Sequence, residues 1–322
     1  MLRARFGTVD DEEVLRRLGI DCRMVVPPYV GPKPPTFADG SYLNPWRTHR
    51  RLVQNRYSAY EEYAGFPLGA ARSIRDVQEF DWPRPEWWSV DELPQIAGAF
   101  RKPVEYHTRY EVGGVFELAW GLRGYEQFMM DLVVDPEIPH AIMAKITDIY
   151  VANVRRVLGA AHGLIDMVYT YDDVAGQDGL LISPATWREH IRPHHVRLNA
   201  AIKEFGVKIM YHSCGAVLPL IGELVDIGVD VLNPLQPRAA GMDMALLKET
   251  FGRRISFHGA IDIQQTLPAG KTVDVRAEVR DRVRVLAPGG GYILASAHYI
   301  QGDTPVENIL AMYDEAGSLV KD

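Results

Sequence analysis

The segment Tyr211-His212-Ser213-Cys214-Gly215 sets an imidazole and a thiol two residues apart at the end of an apolar run. In an extended strand both side chains leave the same face, as a shared ion requires, and this donor pair suits zinc. The same pair equally describes a hydrogen-bonded core histidine beside a small buried hydrophobe, so the spacing alone leaves metal binding and packing open. Other polar groups stand at the ends of other apolar runs: Glu117 within Val115-Phe116-Glu117-Leu118-Ala119-Trp120, Asp172 and Asp173 after a tyrosine-rich run, His258 in Phe257-His258-Gly259, and His298. Being adjacent in a strand, Asp172 and Asp173 point to opposite sides; one faces a cavity and the other caps a loop or helix. A carboxylate in a strand as apolar as the one around Glu117 needs a cation or a metal for a partner. His258 reads as packing or as a ligand-facing group. Arg123 and Tyr125 follow the Glu117 run, where the arginine suits either a bidentate clamp on a substrate carboxylate, with Tyr125 donating to it, or a surface salt bridge.

These positions converge only if the runs that carry them lie parallel in one sheet. From about residue 110 onward, short β-branched or aromatic runs (114–120, 167–173, 208–214, 229–235, 255–261 and 292–298) alternate with helical patterns, which is the pattern of βα units. Asp135-Pro136, Ser183-Pro184 and Thr304-Pro305 mark helix starts, with proline where its missing N–H is harmless. Residues 22–26 supply a seventh strand and 104–108 the spare candidate for an eighth. The predicted fold is one (β/α)8 TIM-type barrel over residues 1–322, with an irregular N-terminal part to residue 110 and the main βα repeats over 111–322. Residues 27–70, rich in proline, glycine and aromatics without a sustained period, predict an excursion over the barrel mouth. In such a barrel the C-terminal strand ends form the functional face, so the polar tips above share one cavity.

Composition narrows the partners. The 322 residues are 47% hydrophobic and 24% charged, enough apolar content for one large core, and the formal charge of −7 gives no general attraction to nucleic acid or anionic membranes. The longest apolar stretch, 218–235, is interrupted by Glu223, Asp226 and Asp230, so no membrane span is expected. Two distant cysteines and an N-terminus that runs directly into Asp10-Asp11-Glu12-Glu13 predict a reducing, cytoplasmic setting, and a homodimer is a reasonable expectation for such a barrel.

From about residue 110 the chain resembles the uroporphyrinogen decarboxylase superfamily. The resemblance rests on 116–124 (Phe-Glu-Leu-Ala-Trp-Gly-Leu-Arg-Gly), Tyr171-Asp172-Asp173-Val174-Ala175-Gly176-Gln177, His212-Ser213-Cys214-Gly215, Asn233-Pro234-Leu235-Gln236-Pro237, 257–262 and 298–305. That superfamily also holds zinc-dependent methyltransferases that serve corrinoid proteins. Its decarboxylases carry an N-terminal Arg-Gln-Ala-Gly-Arg segment that residues 1–60 lack, although Tyr125 and His298 fall where that branch places a tyrosine and a histidine. The methyltransferase branch binds zinc through a His-x-Cys pair and a later cysteine; His212 and Cys214 match the pair, and Ala295-Ser296-Ala297-His298 stands where the later cysteine is expected. The resemblance implies a metal set of His212, Cys214 and His298, with Glu117 or Asp173 as fourth ligand, a donor mixture that accepts zinc, iron or cobalt. Asp173 and Tyr125 are then the expected catalytic residues, and Arg123, Trp120 and His258 the expected substrate contacts. The activity implied is metal-dependent methyl or one-carbon transfer with a separate corrinoid protein. The alternatives are a metal-free decarboxylase acting on a carboxylated substrate through Asp173, Tyr125 and Arg123, and an inactive barrel that serves as a binding protein.

Overall fold

The computed structural model describes residues 1–57 and 59–319. Seven strands form one curled parallel sheet: β1 (Cys22–Met24), then, after an N-terminal hairpin, β5 (His107–Gly113), β6 (Met167–Tyr171), β7 (Lys208–His212), β8 (Val231–Leu235), β9 (Ser256–Ile261) and β10 (Tyr292–Ser296). They are hydrogen-bonded in chain order. Among the described residues no eighth strand joins them and no ladder links β10 to β1, so the fold is of mixed α/β class with a curled, open seven-stranded parallel sheet in place of the closed eightfold barrel expected. Helices cover the outer face, chief among them Glu137–Ala160, whose Ile142, Met143, Ile146, Tyr150, Val154 and Val157 recur at helical spacing and are buried. Inside the curl, Met167, Met210 and Val231, from three successive strands, pack together with Tyr169 and Ile293 as an apolar layer. No helix among the described residues is long and apolar enough to cross a membrane.

The N-terminal excursion is more ordered than its composition implies. Strands β2 (Tyr42–Leu43), β3 (His49–Gln54) and β4 (Ala59–Gly65) make a separate antiparallel sheet. Tyr63 from β4 packs on Trp120, with ring centroids 5.3 Å apart, and Tyr57 beyond β3 lies with its carbonyl against Gly302 in the loop after β10. Both contacts are to segments that follow C-terminal strand ends, so this sheet roofs the barrel mouth.

The largest departure from sequence expectation concerns residues 107–123. The strand is His107–Gly113, and the expected strand at 114–120 is a helix, Val115–Arg123. Gly113 takes φ 128°, and a side chain on Gly114 would meet Asp172 Oδ1 at 2.6 Å, so the double glycine both turns the chain and lets it press against the end of β6. Asp172 then caps the new helix from a neighbouring element, accepting from the backbone N–H groups of Val115 (3.2 Å) and Glu117 (2.8 Å). It also meets His195 Nε2 at 2.7 Å, and both side chains are wholly buried. The alternation argument holds here: Asp172 is the capping carboxylate and Asp173 the one on the cavity side.

Removing the Asp172 carboxylate orphans two helix N–H groups and a buried histidine. Asp172→Ala should lose about 3–5 kcal/mol of unfolding free energy in a urea titration. Glu204→Ala, which breaks an exposed pair with Arg155, should leave the midpoint where it is.

Candidate metal centre

His212 ends β7, Cys214 lies two residues on, and His298 follows β10. Their ligand atoms all lie within 4.8 Å of one another, and all three side chains are half-buried. His212 Nε2 and Cys214 Sγ are 3.4 Å apart, and the rings of His212 and His298 have centroids 5.6 Å apart. A tetrahedral zinc ion holds its ligands roughly 3.5 Å from one another. The two nitrogens and one sulfur therefore fit such an ion after side-chain adjustment alone.

Sheet register explains why the imidazole is presented correctly. His212 pairs with Asn233 across β7 and β8, and Tyr171 with His212 across β6 and β7. His212 Nδ1 lies 2.6 Å from Asn233 Oδ1 and 2.8 Å from the Tyr169 hydroxyl. An amide oxygen only accepts, so Nδ1 carries the proton and Nε2 keeps its lone pair toward Cys214. Asn233 Nδ2 in turn donates to His258 Nδ1 at 2.6 Å. Burial, followed by the charge of Arg109, brings the His258 pKa down to about 4, so that ring stays neutral and accepts. Burial likewise lowers the pKa of His212. The Cys214 thiol moves the other way: burial and then the Asp173 carboxylate push its pKa well above the ordinary thiol range, so it ionises only when a cation arrives.

Asp173 accepts from the Cys214 backbone N–H at 2.7 Å, and its Oδ1 is 3.5 Å from His212 Nε2. Its own N–H donates to Glu117 Oε1 at 2.6 Å. Glu117 is buried, and that burial, with the charges of Asp172 and Asp173, raises its pKa to about 8. Glu117 sits in the first turn of a helix and not in a strand, bonds the Asp173 N–H, and stands outside the three-residue cluster. Arg123 is 6% exposed, pairs with Asp131 at 2.8 Å and donates to the carbonyls of Leu68, Gly69 and Ala71, so it staples the N-terminal region to a helix end and its fork is taken up by protein groups. Tyr125 is exposed and stands edge-on to Trp120, which lies under the roof against Tyr63; no described contact joins either to His212, Cys214 or His298. His258 reaches the centre through Asn233.

Three residues here escaped the sequence reading as site residues: Tyr169, Asn233 and Arg109. The strict alternation in His107-Thr108-Arg109-Tyr110-Glu111, with Thr108 and Tyr110 buried outward, was the available signal for the last.

The uroporphyrinogen decarboxylase (URO-D) family model matches residues 71–319. Curated relatives include the uroporphyrinogen decarboxylase of Mycolicibacterium paratuberculosis, 27% identical over 180 residues that make up 54% of this chain and 47% of that protein. That of Nocardia farcinica is 26% identical over 257 residues, 74% of this chain and 67% of that one. The match thus spans about half the length of the first of these relatives. Among solved structures, a methyltransferase from Methanosarcina mazei superposes with a TM-score of 0.67 over 96% of this chain and 83% of its own, at 16% identity, a likeness of fold.

The electrostatics of the cluster set a pH dependence. Because the Cys214 thiol is protonated across neutral pH, each ion bound displaces one proton, and zinc affinity in a chelator-competition titration should fall about tenfold for each unit of pH decrease. Asn233→Ala, which frees the His212 tautomer, should weaken zinc binding by about 10- to 100-fold at constant pH.

Proposed function

The chain belongs to the uroporphyrinogen decarboxylase family, and within it we propose a zinc-dependent methyl or one-carbon transfer enzyme that works with a separate corrinoid protein as methyl carrier. The observation that carries this reading is the convergence of His212, Cys214 and His298 at one end of the sheet, with a hydrogen-bonded amide behind the first of them. Zinc bound there supplies Lewis acidity that lowers the pKa of a thiol or comparable nucleophile at neutral pH.

The chain's own residues do the remaining work. Asn233 and Tyr169 hold His212 in the Nδ1–H tautomer. Asp173, its side chain 41% exposed beside His212 and Cys214, is positioned to take the proton that the acceptor gives up. The deprotonated acceptor would then be the nucleophile for the methyl group that a corrinoid carrier would supply. Glu117, neutral and bonded to the Asp173 N–H, fixes that carboxylate without adding a second negative charge. The roof of β2, β3 and β4 packs over this end of the sheet.

A metal-free decarboxylase is the second reading, and the observation favouring it is the 26–27% identity to curated decarboxylases. The arginine expected to hold its substrate, Arg123, is engaged elsewhere.

Elemental analysis of protein purified without chelator or affinity metal, followed by transfer from methylcobalamin to a thiol, separates the two. Methyl transfer is expected from wild type carrying near-stoichiometric zinc, with both metal and transfer lost in Cys214→Ser. Asp173→Asn should keep its zinc and lose about 10²- to 10⁴-fold in transfer rate. Protein free of metal that releases carbon dioxide from a carboxylated substrate, unaffected by chelators, overturns the methyl-transfer reading.

A further inference from the structure

Arg109 stands out among the arginines near the barrel. Its strand, β5, buries Thr108 and Tyr110 on the outer face, so Arg109 and Glu111 face the inside of the curl. The guanidinium lies over the ring of Tyr169, 5.0 Å from its centroid, and the hydroxyl of that ring is bonded to His212. One aromatic side chain therefore separates a fixed positive charge from the metal cluster.

Neighbouring arginines are neutralised. Arg23 pairs with Glu12, Arg101 with Asp166, Arg123 with Asp131 and Arg238 with Asp262. For Arg109 the contact the structure gives is the Tyr169 ring, and no hydrogen bond or ion pair among the described residues takes up its N–H donors. Glu111, two residues on and facing the same way, forms no ion pair with it; burial raises the pKa of that carboxyl, and the charge of Arg109 acts against the rise. Its charge also acts on Cys22, Tyr169, His212 and His258. A half-buried guanidinium with no ion-pair partner and free donors is costly unless an anion arrives to complete it. The planar fork matches a carboxylate in two parallel hydrogen bonds.

We propose that Arg109 is the binding site for a carboxylate at one end of the small substrate whose other, reactive end lies at His212, Cys214 and His298. The proposal rests on the reading of those three residues as a metal centre for the reactive end, and it assigns the opposite end. The substrate class is a short bifunctional molecule, a nucleophile separated from a carboxylate by a few carbons.

The test is calorimetric titration of metal-free and zinc-loaded protein with 3-mercaptopropionate, 2-mercaptoethanol and propionate. Wild type should prefer 3-mercaptopropionate over 2-mercaptoethanol by about ten- to a hundredfold, the worth of a charged hydrogen-bonded pair, in both metal states. Arg109→Gln should abolish that preference and leave 2-mercaptoethanol binding unchanged, while Arg109→Lys, which keeps the charge and the fold but not the fork, should retain a part of it. The preference for 3-mercaptopropionate over propionate reads the metal end alone, and should need zinc. Carboxylate preference that survives Arg109→Gln in a variant with wild-type thermal stability overturns the assignment to Arg109. Loss of only the zinc-dependent thiol preference overturns the metal reading and leaves Arg109 standing.

Discussion

A single buried carboxylate organises this molecule. Asp172 directly follows β6, caps a helix that begins more than fifty residues earlier in the chain, and pairs with His195 from a third element. With no water around it, each of these contacts is compulsory, because an unpaired charge at that depth costs more than the pair contributes. Fixing Asp172 outward also fixes the next residue inward. Asp173 meets the Cys214 N–H and the edge of His212 as the geometric consequence of a strand in which alternate side chains face opposite ways.

Much of this was legible in the sequence. The runs around residues 22, 167, 208, 231, 256 and 292 are strands, in order and parallel, and the His-x-Cys spacing does bring His212 and Cys214 together with His298. What stayed hidden has a common cause. The apolar run after Gly114 has the composition of a buried strand, and a run of that length does not reveal its period; the groups that make it a helix are the flexible Gly113-Gly114 pair and a cap supplied by Asp172 from far along the chain. Misplacing that strand misplaced its polar residues too. Glu117 became a cavity-facing strand residue, and Arg109, which is one, was passed over.

The contrast between two arginines carries the same lesson for chemistry. Arg123 follows a conspicuous motif, where a substrate clamp is a natural expectation, yet as the last residue of a helix it holds backbone carbonyls and Asp131 together. Arg109 sits in an unremarked strand and faces the inside of the curl, with no protein partner for its donors among the described residues. Residue type announces which interactions are available, and only the packing decides whether protein or ligand receives them.

The two histidines and the cysteine differ in how the sheet holds them. His212 ends β7, which has a ladder on either side, and Cys214 lies two residues beyond it, whereas His298 follows β10, which among the described residues is bonded to β9 alone. The tripod thus has two legs set in the middle of the wall and one at its free margin, next to the loop on which Tyr57 of the roof rests. Shape at the centre is therefore shared between barrel and roof: the third leg stands four residues before the glycine on which the hairpin rests, so the wall that carries it is set in part by the N-terminal sheet.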